Sequence, residues 1–216
     1  MDAAKDELLP PEAELAIAWS APSLRAALTT ALQLDRRLAR IVARTNEPML
    51  GQMRLAWWRE ALDKPIGQRP RGDRVLDAIG RDWAGQESAL VAMIDGWEVF
   101  VTATALGREE AEAFGAGRGA FFTGLGAAED APRLAAAGAR WAIAEAAGMV
   151  SQPQERTALV SAGRRVAGPG GRMPAGQRGL AVLEALALRA LRRGGQPLMA
   201  GRGASLTALR AAIFLT

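Results

Sequence analysis

Wherever hydrophobic residues in this chain recur with a period, the period is helical. Leu24, Leu28, Ala31, Leu34, Leu38 and Ile41 follow one another at three- and four-residue steps, the spacing that lines one face of a helix with 3.6 residues per turn. No stretch alternates apolar and polar residues as a half-buried strand does. Proline and glycine divide the sequence into further helical segments. A short helix follows Pro10-Pro11 as far as Trp19, and a long one, capped at Ser20 or Ser23, runs to Arg44. Further helices are predicted over 47–63, 73–83 (capped by Asp73), 87–105, 108–125, 132–150, 153–166, 177–193 and 206–215. The stretches 64–72 and 168–171 read as loops. Eight to ten helices with short connections and no internal repeat predict a single all-α domain over 1–216, a helical bundle.

The absent residue types narrow the chemistry. The chain has no cysteine, histidine or tyrosine. Thiolate nucleophiles, zinc-thiolate sites, Ser-His-Asp catalysis and imidazole bases are therefore excluded. What remains is carboxylates, arginines, hydroxyls and oxygen-held hard cations such as Mg²⁺. No apolar run approaches the ~20 residues of a membrane span, and the charged start (Met1 to Leu9) lacks the apolar region of a signal peptide. A cytoplasmic location is expected.

Two tryptophans stand side by side in the 47–63 helix. Asn46 reads as its N-cap, with Glu47 favoured by the helix dipole and Pro48 tolerated in the first turn. Leu50, Met53, Trp57 and Ala61 share one face, widened by Leu55 and Leu62, with Gly51 and Trp58 beside them; Arg59 falls on the wetter side. Arg54 is framed by Leu50, Gly51, Trp57 and Trp58, so its charge needs a partner. Asp35, framed by Ala31, Leu32, Leu38 and Ala39, needs one too. The two together read as an ion pair, and Asp35 alone as a ligand at the head of a cavity. Asp95 and Glu98, three apart on one helix face, are suited to a divalent cation or to arginines.

Charge is uneven. Residues 131–216 carry 12 arginines against Glu145, Glu155 and Glu184, whereas 1–130 carry 15 basic and 20 acidic side chains. Arginine suits phosphate, although GC-rich coding favours it too. The tryptophans and arginines do not interleave as a nucleic-acid platform would, so no nucleic-acid partner is expected. The Gly168-Pro169-Gly170-Gly171-Arg172 loop lacks the Gly-Lys-Ser/Thr ending of a P-loop and reads as a connection.

The segments Glu47-Pro48-Met49-Leu50-Gly51 and Met53-Arg54-Leu55-Ala56-Trp57-Trp58-Arg59-Glu60-Ala61-Leu62-Asp63 resemble the Trp-Trp helix of the squalene/phytoene synthase family. The Glu-Pro-Met-Leu-Gly opening is similar to its divergent branch, which includes mitochondrial complex I assembly factors. Met93-Ile94-Asp95-Gly96-Trp97-Glu98 resembles the family's Leu-Ile-Asp-Gly-x-Glu helix. Residues 115–126 resemble its glycine-rich helix, and Gly171-Arg172-Met173-Pro174 a shortened Gly-Arg-x-x-Leu-Pro loop. The resemblance spans about residues 20–195. It implies the isoprenoid synthase fold, with Trp57, Trp58 and Phe114 walling a prenyl-diphosphate cavity beside Asp35 and Arg54. It also implies head-to-head joining of prenyl diphosphates on Mg²⁺ held by two aspartate-rich motifs.

The sequence departs from the family at those motifs. Four residues after Asp35 stands Ala39; no aspartate follows Asp130; Glu145 is alone where the second cluster is expected; and Phe100 replaces the aspartate five residues after Asp95. The resemblance thus implies a non-catalytic relative without cofactor, an assembly factor for respiratory complex I or a binder of a prenyl or lipid-like ligand. One alternative is an active prenyltransferase with Mg²⁺ relocated to Asp35, Asp95 and Glu98. Another is a module with peripheral contact at the inner membrane through its arginine-rich last third.

Overall fold

The computed structural model describes residues 8–45 and 47–215. Among these residues it contains ten α-helices and no strand. They are α1 (Pro11–Trp19), α2 (Pro22–Ala43), α3 (Pro48–Asp63), α4 (Arg74–Asp82), α5 (Glu87–Thr102), α6 (Arg108–Gly119), α7 (Ala131–Met149), α8 (Pro153–Arg165), α9 (Arg178–Arg192) and α10 (Gly203–Phe214). Proline opens α1, α2, α3, α7 and α8, where its missing N–H costs nothing. Asp73 caps α4, accepting from the backbone N–H groups of Val75 at 2.9 Å and Leu76 at 3.1 Å. The proposed cap Asn46 lies outside the described residues; Glu47 occupies the N-cap position of α3 and makes no side-chain capping bond.

The helix predicted over 108–125 changes character part-way. It is α-helical to Gly119 and continues over 120–125 as a 3₁₀ helix. Gly119 and Gly124 weaken the α conformation there, and Thr123 Oγ1 donates back to the Ala120 carbonyl at 2.8 Å.

Helix α6 packs between α5 and α7, and α7 also meets α8 and α9. Helix α9 carries α1 on one side and α10 on another, while α2 and α3 lean on α5. Paired glycines bring α6 this close to its neighbours. A Cβ on Gly119 would collide with the Gly138 carbonyl of α7, and one on Gly117 would lie 2.8 Å from Gly96 Cα of α5. Close backbone approach, for which glycine is the only residue small enough, therefore fixes both crossings.

The α3 helix is rotated from the expected orientation. Gly51, Leu55, Trp58 and Leu62 face inward, with Ala61 beside them. Leu50, Met53 and Trp57, predicted to face the core, are 45%, 63% and 42% exposed. The close fit of Gly51 against the Val101 side chain of α5 sets this rotation, since a Cβ on Gly51 would touch Val101 at 3.0 Å. The outer side of α3 is thus a stripe of large apolar residues. No helix among the described residues is long and apolar enough to cross a membrane.

Candidate functional site

The centre of the bundle is organised around an arginine. Arg118 stands between the two close-packing glycines of α6, so its side chain leaves the helix where α5 and α7 come nearest. Trp97 follows Gly96 on α5, and Trp141 lies one turn beyond Gly138 on α7. The guanidinium carbon lies 4.6 Å from the Trp97 ring centroid and 4.5 Å from that of Trp141. Phe114, one turn back on α6, contributes a third ring at 5.6 Å. Aromatic faces are attractive surroundings for a cation.

Two carboxylates complete the enclosure. Arg118 Nε donates to Asp35 Oδ1 and Nη2 to Asp35 Oδ2, each at 2.7 Å, a bidentate pair. Its Nη1 donates to Glu145 Oε2 at 2.6 Å and to the Ala142 carbonyl at 3.2 Å. Trp97 Nε1 adds a bond to Asp35 Oδ1 at 2.8 Å. Asp35 and Arg118 are 3% and 1% exposed. Burial alone would lower the arginine's pKa, but the charges of Asp35 and Glu145 and their hydrogen bonds outweigh it and hold the guanidinium above its ordinary value. The arginine is a fixed internal cation.

Beside this cluster is a small space of about 10 Å³ lined by Glu12, Asp35, Arg36, Trp141, Glu145 and Leu183. That is at the lower limit for one water, which needs ~10–15 Å³. Glu12 sits at its edge with a raised pKa, chiefly through burial, with Glu145 adding to the effect and a backbone hydrogen bond and Arg36 opposing it.

Other predicted residues lie elsewhere. Asp35 does not pair with Arg54, which is exposed and among the described residues reaches Thr45 Oγ1, at 3.4 Å. Rotation of α3 puts Arg59 against α5 instead. It bonds Asp95 through Nε at 2.9 Å and through Nη2, and Glu98 at 2.6 Å. The Asp95 side chain is 54% exposed, so Asp95 and Glu98 form a surface ion triad with Arg59 and do not converge with Asp35. Trp58 is buried, its ring edge-on to the exposed Trp57 at 5.2 Å. Phe114 does line the cluster, edge-on to Trp97 at 5.4 Å.

A second buried ion cluster joins α7 to α9. Glu184 accepts from Arg133 at 2.9 Å and from Arg140 at 2.8 Å. Arg133 also holds the Gly171 carbonyl at 2.9 Å, which ties the 166–177 loop to the bundle. Nothing in the sequence spacing pointed to this triad.

Residues 12–115 match the squalene/phytoene synthase family model. Over that span the chain is squalene/phytoene synthase-like, and its all-α architecture is that of the isoprenoid synthase fold. The motif resemblance over 20–195 extends beyond the matched span, and both Arg118 and Glu145 lie outside it. No curated protein and no solved structure matches the chain.

The squalene/phytoene synthase resemblance implies Mg²⁺, and the residues present do not fit it. Asp35 has both oxygens engaged by Arg118, the position one turn on is Ala39, and Glu145, which faces Asp35 across the bundle, is taken by the same guanidinium. Among the described residues no three potential ligating side chains gather. A divalent ion entering here would have to displace a buried arginine and then share its space.

Proposed function

We propose that this chain is a non-catalytic relative of the squalene/phytoene synthases, in which an arginine has replaced the metal ions as the counter-charge of the central carboxylates. The supporting observation is the position of Arg118, bonded to Asp35 and Glu145 and held between Trp97 and Trp141. Expelling diphosphate from an allylic carbon requires concentrated positive charge on the leaving oxygens. One guanidinium already neutralised by two carboxylates has little charge left to offer. The cluster stabilises the helix crossing instead of opening a site.

On this reading the chain serves by binding, and its resemblance to the divergent branch makes respiratory complex I assembly the setting to test first. That setting rests on family analogy. Incubation of the purified protein with farnesyl or geranylgeranyl diphosphate and Mg²⁺ is expected to give neither head-to-head product nor diphosphate release, and either one overturns the non-catalytic reading. Deletion of the coding sequence is expected to lower assembled NADH dehydrogenase; normal levels would remove the assembly role and leave the arginine argument untouched.

A further inference from the structure

Helix α10 is built inside out. The side it turns toward α9 carries Ala204, Ala208, Ala211 and Ala212, all buried, while Leu206, Leu209, Ile213 and Phe214 are 70%, 45%, 50% and 59% exposed. A surface helix of a globular protein ordinarily does the opposite. Positions 206, 209 and 213 follow one another at helical spacing, with Arg210 among them and Arg202 one turn before Leu206. A contiguous apolar face of this kind marks a contact surface.

The helix is not a loose tail. The backbone N–H of Met173 donates to the Leu215 carbonyl at 2.7 Å, which fixes the end of α10 to the 166–177 loop. At its start, the guanidinium of Arg189 lies against Gly201 and Gly203, and that of Arg193 against Gly201. α10 therefore presents its apolar side as a fixed ridge on top of α9.

Charge selects the occupant. Residues 185–216 contain five arginines, no lysine and no acidic residue. The apolar stripe of α3 differs, having Glu47, Glu60 and Asp63 exposed beside it. An exposed ridge with large apolar side chains on its crest, in a stretch whose charged side chains are all arginines, has the chemistry of an interfacial helix. Its side chains reach the acyl boundary while arginines stay at headgroup level.

We propose that α10 is a membrane-docking surface for anionic phospholipid bilayers, lying in the plane of the interface. The proposal is independent of whether the central site turns over substrate.

Co-sedimentation of the full chain with phosphatidylcholine vesicles, with and without phosphatidylglycerol, tests it. Binding to the anionic vesicles is expected, falling roughly tenfold or more at high salt. The Leu206→Ser/Phe214→Ser variant and the Arg202→Gln/Arg210→Gln variant are each expected to lose it. Met53→Ser on α3 is expected to keep it. Because all four substituted side chains are exposed, the circular dichroism spectrum should not change; if the serine variant misfolds, the glutamine variant decides. Absence of binding to anionic vesicles overturns the proposal, as does equal binding to neutral ones or undiminished binding by both variants. Sedimentation velocity showing a wild-type dimer that Leu206→Ser/Phe214→Ser dissociates would also overturn it, since the face would then belong to a second copy.

Discussion

Arg118 grips both carboxylate oxygens of Asp35, Nε on Oδ1 and Nη2 on Oδ2, at 2.7 Å each. The two residues lie 83 positions apart in sequence, so this pair joins α2 to α6 through the middle of the bundle. Removing either partner leaves a buried charge uncompensated. Asp35→Ala and Arg118→Ala are each expected to destabilise the fold by about 3–5 kcal/mol, measured by urea unfolding. The double variant should lose less than the sum, because much of each single loss is the orphaned partner. Additive losses would show that the pair is not coupled.

Arg54 provides the contrast. It is exposed, and its guanidinium makes a long contact to Thr45 Oγ1. Arg54→Ala should change stability by no more than about 0.5 kcal/mol, and a loss of several kcal/mol in the same unfolding assay would mean that α3 is rotated toward the core.

The crossing of α6 and α7 depends on missing side chains. In an exposed helix Gly→Ala stabilises by up to about 1 kcal/mol. Here a Cβ on Gly119 or Gly138 would collide with the backbone of the opposite helix. Gly119→Ala and Gly138→Ala should therefore destabilise by about 1–3 kcal/mol or more. A rise in thermal midpoint would show that the helices have room to part.

Much of the architecture is legible in the sequence, because helical periodicity and helix-opening prolines are local signals. Asp73 capping α4 is of this kind. The centre of the site is only half legible. Asp35 betrays itself as a charge among apolar neighbours, and the same criterion selects Arg54, wrongly. Neighbours on a helix report burial only if that helix turns the way its apolar residues suggest, and α3 does not. Its rotation follows from Gly51 meeting Val101, a contact 50 residues away in sequence. Arg118 carries a signal that was available: it is the only charged residue between Glu112 and Glu129, with glycine on both sides and Phe114, Phe121 and Phe122 within a turn or so. A lone charge in so apolar a segment needs a buried partner, and Asp35 needs one as well.

Glu12 makes stability depend on pH. Its folded pKa lies above the ordinary 4.5, mainly through burial. The folded state therefore holds a proton that the unfolded state releases, and stability declines as pH rises from the unfolded value through the folded one. Glu12→Gln removes that decline. The variant should show a higher urea midpoint than wild type at about pH 7 and no advantage below the unfolded value, near pH 4. An equal advantage at both values would show that the gain comes from something other than ionisation.

Calorimetric titration checks the proposed substitution of Arg118 for the metal ions. Mg²⁺ and farnesyl diphosphate, added separately and together to the full wild-type chain, should give no saturable Mg²⁺-dependent heat, since Asp35 and Glu145 are already committed to the guanidinium. Saturable binding of diphosphate that requires Mg²⁺ and disappears in Asp35→Asn would contradict it.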